Sequence, residues 1–263
     1  MLSVRGLFTA ILDNDDAYRL FCSIAASGEA QGGWENGRIA ALVPPTQREL
    51  APKIARHGAD EDKHGRIFTG LLRKRGLEPV AVPPETDYTM LLERAGIGLA
   101  HARLRRDEPL TELDIVTYLA HSRVTEQRAS EQMGLLERHF ADHPEIGKAV
   151  RQISADEDNH LAYCHEELLR LSAEGHRGTI RRILRECALA EIRVHREVSL
   201  AVMARMGRIL GWSAATAAAL RAGIHATYLY ERVHGWRRMT TLTMPARRNA
   251  LGTPATSEAA AGI

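Results

Sequence analysis

The chain has 263 residues, 44% of them hydrophobic, 26% charged and 5% aromatic, with a formal net charge of +2 that says little about partners. Ala, Leu, Arg and Glu abound, a globular mix that favours helices over sheets and supplies ample material for a core. The three cysteines (Cys22, Cys164, Cys187) are widely spaced with no CxxC pair, which argues against a disulfide framework and a four-cysteine zinc or rubredoxin site and fits a reducing, cytoplasmic setting.

In chain order, the apolar run Leu7 to Leu12 is too short and poorly flanked for a secretory signal. The first long helix is expected after Asp13-Asn14-Asp15-Asp16 and ends near Leu42, before Pro44-Pro45. A second opens at Thr46-Gln47-Arg48-Glu49, a capping-box pattern, and runs to Gly76, with Pro52 predicting a kink or restart. A linker with Pro79, Pro83 and Pro84 leads to a shorter helix over Asp87 to Arg105. The third long helix spans Thr111 to Phe140; the fourth begins after His143, with Pro144 in its first turn, and ends at Gly175. Helices of some 30 residues are roughly 45 Å long, the usual length in a four-helix bundle.

Beyond Gly178, Ile180 to Leu210 has helical apolar spacing, and Ser213 caps an Ala-rich helix reaching Arg238. Arg205, Arg208 and Arg221 interrupt the most apolar stretch, Ser199 to Tyr230, so no membrane span is expected. Glu191 and His195, four apart, read as a surface pair. The expected organisation is a bundle over 1–175, a helical extension over 176–240 that packs on it or mediates dimerisation, and a disordered tail over 241–263.

One repeat carries chemistry. Ala59-Asp60-Glu61-Asp62-Lys63-His64 recurs as Ala155-Asp156-Glu157-Asp158-Asn159-His160, five of six letters at an offset of 96. Each copy holds Glu-x-x-His, which places a carboxylate and an imidazole on one helical face. Two such motifs on facing helices form half of a dimetal site, and each remaining long helix should add one glutamate. Glu126 stands 31 residues before Glu157, on an apolar stripe with Leu119, Ser122, Ala129, Met133 and Leu136. Its rival Glu131 lies among Gln127, Arg128 and Arg138, residues expected in water. On the first helix Glu29, 32 residues before Glu61, is preferred over Glu35, and that choice stays open. Four carboxylates converging in an apolar interior need countercharge, and two divalent cations provide it. The donor set suits iron or manganese better than a closed zinc site.

With Glu29, Glu61-x-x-His64, Glu126 and Glu157-x-x-His160, residues 13–175 resemble the ferritin-like diiron-carboxylate superfamily of ferritins, rubrerythrins and diiron hydroxylases and oxygenases. The resemblance implies an all-α, ferritin-like antiparallel four-helix bundle with a long crossover and additional C-terminal helices. It implies two iron ions, with manganese or a mixed Mn/Fe pair using the same ligands. It also implies terminal or shifting roles for Glu29 and Glu126 and bridging roles for Glu61 and Glu157. Asp60 and Asp156 match acids that hydrogen-bond metal-bound histidines in diiron oxygenases; a solvated acid is the equal alternative for each.

The glycines around Glu29 (Gly28, Gly32, Gly33, Gly37) point either to close helix packing or to a widened passage or π-bulge that admits substrate. Tyr18, Tyr118, Tyr163 and Met133 read first as core. The leading functional expectation is an oxygen-activating oxidoreductase, using dioxygen, an external electron donor and a small-molecule substrate. Ferroxidase or iron-handling activity and a non-enzymatic metal-binding scaffold are the alternatives. Some bacterial tRNA-modifying hydroxylases are similar in size and motif. Arg232, Arg237, Arg238, Arg247 and Arg248 keep RNA open as a partner, and the same segment can form a homodimer.

Overall fold

A computed structural model describes residues 3–242 and is all-helical, with no strand among the described residues. The expected tail, with Arg247 and Arg248, lies outside them apart from its first two residues. A short helix α1 (Val4–Leu12) precedes α2 (Asp15–Leu42). Asn14 caps α2 by accepting from the Ala17 amide, and Asp15 and Asp16 complement the helix dipole. Pro44 and Pro45 end it.

A 3₁₀ turn over Pro45–Leu50 follows, with Gln47 out of helical conformation, and α3 (Ala51–Lys74) restarts with Pro52 in its first turn. The expected Thr46–Glu49 capping box does not form, because the two residues belong to the turn and leave α3 without a side-chain cap. Gly76 at φ 69° closes α3, Leu77 N donating to Leu72 O as in a Schellman turn.

The crossover holds α4 (Tyr88–Arg94) and α5 (His101–Leu104). The single helix expected over 87–105 is broken because Gly96 and Gly98 adopt φ 73° and 78°. Thr111 and Asp114 make a full capping box for α6 (Glu112–Phe140). The fourth long helix, α7 (Gly147–Leu171), begins later than the Pro144 reading placed it; residues 144–146 form a turn, and Gly147 N bonds His143 O.

A π turn over Ser172–His176 leads into α8 (Arg177–Ile209), then α9 (Ala214–Tyr230) capped by Ser213, a second π turn, and α10 (Trp236–Thr240). None of these helices is long and apolar enough to cross a membrane.

Cross-helix partners fix the directions. Gly33 abuts Gly58 and Ala26 abuts Gly65, so α2 and α3 are antiparallel. Ser130 bonds Asp158 and Glu137 bonds Ser154, so α6 and α7 are too. Lys53 with Glu167 and Lys63 with Asp156 set α3 antiparallel to α7. Arg75 at the foot of α3 reaches Leu12 O and Glu145, whereas Leu110 N bonds Leu42 O at the other end. Residues 75–111 therefore carry the chain back along the length of these helices.

Two apolar clusters bracket the middle of the four long helices. One includes Ile39, Ile54, Leu119 and Leu168; the other includes Cys22, Leu72, Met133 and Ile153. On every helix the motif glutamates and histidines fall between them. Helix α8 joins the first cluster through Ile180, Leu184, Cys187 and Ile192 and packs on α6 and α4.

That packing corrects two sequence expectations. Glu191 is fully buried, not surface-paired with His195, and receives both Nε and Nη2 of Arg128, a residue expected in water. Arg128 also binds Glu231, and the Tyr88 hydroxyl donates to Glu191. His195 instead meets Gln132.

Candidate metal centre

All six predicted ligands meet at one level. His64 Nδ1 lies 3.3 Å from Glu29 Oε2 and 3.5 Å from Glu157 Oε1. His160 Nδ1 lies 3.4 Å from Glu61 Oε1, 3.7 Å from Glu126 Oε2 and 3.7 Å from Glu157 Oε2. Ligands about 2.1 Å from a common cation stand roughly 3.0–3.4 Å apart in octahedral or tetrahedral geometry, close to these separations. Glu157 turns one oxygen toward each histidine, whereas Glu29 faces only the His64 side and Glu126 only the other.

Two groups emerge whose ligand atoms lie within 4.8 Å of one another: Glu29, Glu61, His64 and Glu157; and His57, Glu61, Glu126 and His160. Glu61 belongs to both. Glu35 belongs to neither; its carboxylate accepts from His101, 2.7 Å away in α5. Glu131 is likewise elsewhere, held by Arg238.

His57 is the residue that the sequence reading missed. It is 2% exposed, its Nε2 stands 3.1 Å from Glu61 and 3.4 Å from Glu126, and its ring stacks on His160 at 3.8 Å. Its position four residues before Glu61, on the same helical face, was the available signal.

Each of the two motif histidines turns its outer nitrogen toward an aspartate, and only that of His64 is hydrogen-bonded. His64 Nε2 lies 3.0 Å from Asp156 Oδ2, and His160 Nε2 lies 3.5 Å from Asp60 Oδ2, too long or misaligned for a hydrogen bond. Each aspartate thus serves the histidine of the other repeat, and the Lys63 ammonium spans both, 2.6 Å from Asp60 and 2.7 Å from Asp156. His57 Nδ1 meets Tyr163 Oη at 2.8 Å, Tyr163 meets Tyr118 at 2.6 Å, and Tyr118 donates to Asn36 Oδ1 at 2.7 Å. Two of the three tyrosines therefore do more than fill the core.

With only protein groups facing one another, the cluster retains protons. Burial raises Glu29 to about 8, repulsion from Glu157 and Glu126 adding to it. Glu61 and Glu157 also move up through burial. His57, although burial opposes it, is raised to about 9 by Glu126, and His160 to about 11 by Glu126 and Glu157. Glu126 goes down: its two histidines outweigh its burial. Cations displace such protons on binding. His160 Nδ1, buried among three carboxylates, has no hydrogen-bond partner, which fits an atom aimed at a cation.

Packing accounts for Gly32 and Gly33, whereas a methyl on Gly37 would meet nothing within 4 Å and one on Gly28 only Thr89 at 3.9 Å. Helix α2 is α-helical throughout, so the π-bulge that stood as one alternative near Glu29 does not occur. A methyl on Gly32 would stand 3.1 Å from Glu61 Oε2, and one on Gly33 would meet Asp62 and, at 3.2 Å, Gly58 O. Toward the α1 end of the site, Cys22, Phe68, Met133 and Ile153 help line an apolar cavity of about 40 Å³, room for one molecule about the size of water or dioxygen.

No family model, curated protein or solved structure matches the chain.

Proposed function

We propose that this chain is a ferritin-like dimetal protein, with iron as its metal, that acts as an oxygen-activating oxidoreductase. The observation that carries the reading is the pair of ligand groups sharing Glu61, set by four antiparallel helices with a crossover between the second and third. Glu29, Glu61, Glu126, Glu157, His64 and His160 hold the pair, and two divalent cations cancel the four carboxylate charges. Held by these residues, a reduced iron pair would supply electrons and open coordination positions for dioxygen.

The chain's own groups do the rest. The two apolar clusters flank the site, and the small cavity, one to two helical turns from the ligands, offers dioxygen an apolar resting place on the way in. Asp156 fixes His64 with Nδ1 inward, and Asp60 faces His160 in the same sense. Glu29 keeps the most exposure of the four glutamates, 19% of its side chain, and marks the side from which a reductant or substrate approaches.

The test is metal analysis after purification, followed by anaerobic Fe(II) loading and exposure to oxygen under an absorbance monitor. Two irons per chain and oxygen uptake coupled to an organic substrate are expected. Glu157→Ala should lose at least one metal equivalent. Repeated Fe(II) turnover into mineral in a cage-sized assembly would assign iron storage instead, and metal binding with no oxygen uptake would leave a scaffold.

A further inference from the structure

We infer that His57 is a seventh ligand and that the two metal positions are therefore unequal, filling in order and preferring different ions. The inference rests on the dimetal reading above and concerns how the site discriminates between metals. Repeat symmetry makes the inequality visible. The offset of 96 that carries Glu61 onto Glu157 and His64 onto His160 carries His57 onto Ile153, a member of the apolar cluster on the cavity side. One copy of the repeat thus presents an imidazole where the other presents a hydrocarbon.

The hydrogen bonds show which nitrogen His57 offers. Tyr118 spends its proton on Asn36 Oδ1, an atom that can only accept. Tyr163 must then donate to Tyr118, which leaves the Tyr163 oxygen to accept from His57. His57 Nδ1 bears the proton in that bond, and Nε2 is the atom presented to Glu61 and Glu126. A buried partner that fixes the tautomer and ring orientation is the usual companion of a metal-binding histidine.

One position is thus built from two imidazoles (His57, His160) with Glu126 and the shared Glu61, with the second oxygen of Glu157 3.7 Å from His160. The other has one imidazole (His64) with Glu29, Glu157 and the shared Glu61. Imidazole favours the later first-row divalent ions, whereas a carboxylate-rich set suits Mn²⁺ and Mg²⁺. The His57 position takes the first equivalent of Co²⁺ or Fe²⁺, and the Glu29 position is filled second and accepts Mn²⁺ more readily.

The experiment is calorimetric and absorbance titration of the chelator-stripped full chain with Co²⁺, alone and against Mn²⁺. Two resolved steps are expected, the first at least about 10-fold tighter, with Mn²⁺ competing mainly for the second. His57→Ile copies the other repeat and should abolish the tight step while leaving the second. Tyr163→Phe, which removes the acceptor for Nδ1 and the bond to Tyr118 but none of the proposed ligands, should weaken the first step by roughly 10- to 100-fold and spare the second; it decides the matter if His57→Ile fails to fold. Two equal steps, or a first step that neither variant alters, would overturn the inference and leave a symmetric dimetal centre standing. No Co²⁺ binding in the unaltered chain would overturn both readings.

Discussion

Gly58 sits one turn before Glu61 at the closest approach of α2 and α3, and its replacement by alanine tests whether that contact sets the level of the site. A methyl there would stand 3.0 Å from Asn36 Cβ, 3.1 Å from Gly33 O and 3.2 Å from Gly37 N. Two of these are backbone atoms, and Asn36 is tied to Tyr118, so the helices must part. Overpacking of this kind costs about 1–3 kcal/mol, while alanine gains roughly 0.5–1 kcal/mol over glycine in a helix interior. Gly58→Ala should therefore range from neutral to a loss of about 2.5 kcal/mol. Gly70 lies in the same helix, and a methyl added to it would meet nothing within 4 Å, so Gly70→Ala should gain the full helical term. Thermal and urea melts of the metal-free variants isolate the packing cost, at about 2–4 °C per kcal/mol for a chain of this size. Gly58→Ala should also weaken metal binding, since it separates Glu29 from Glu61. A Gly58→Ala protein as stabilised as Gly70→Ala would refute the reasoning.

Glu29→Ala should lose at least one metal equivalent by elemental analysis, whereas Glu35→Ala, whose target pairs with His101, should retain both. Arg128→Met strands the fully buried carboxylate of Glu191, while Glu231 keeps Arg238, and should cost about 3–5 kcal/mol in denaturant melts; a loss below about 1 kcal/mol would show that the pair is solvated. Without metal, stability should fall as pH rises between about 5 and 9. Glu29, raised to about 8, loses its contribution above its unfolded value near 4.5, and His57, raised to about 9, loses its own above 6.5. Glu126, shifted down, acts only at lower pH. Metal-loaded protein should show the opposite trend, because deprotonation strengthens binding, and pH-resolved melts of both forms decide the sign.

Much of the architecture could be read from local chemistry. Asn14, Thr111 and Ser213 cap their helices as their side chains predict, and Pro44 stops α2. The repeat and the apolar stripe around Glu126 pointed to glutamates that the fold brings together, because helical periodicity sorts inward from outward residues. The same rule failed at Arg128 and Glu191, whose charges are buried because each is satisfied by the other, a long-range match that no local pattern reveals. His57 is invisible to a comparison of the two copies, because it lies where they differ and not in what they share. The break between α4 and α5 depends on backbone angles that Gly96 and Gly98 permit but do not dictate.

The single substitution inside the repeat has a reason of its own. Lys63 clamps Asp60 and Asp156 together, and a strict copy would put a second lysine at residue 159, aimed at the same two acids. Two ammonium groups would then crowd one pair of carboxylates, repelling each other and competing for oxygens that the histidines also need. Asn159 removes that rivalry, so a duplicated element works here because one half forgoes a charge that both could not use.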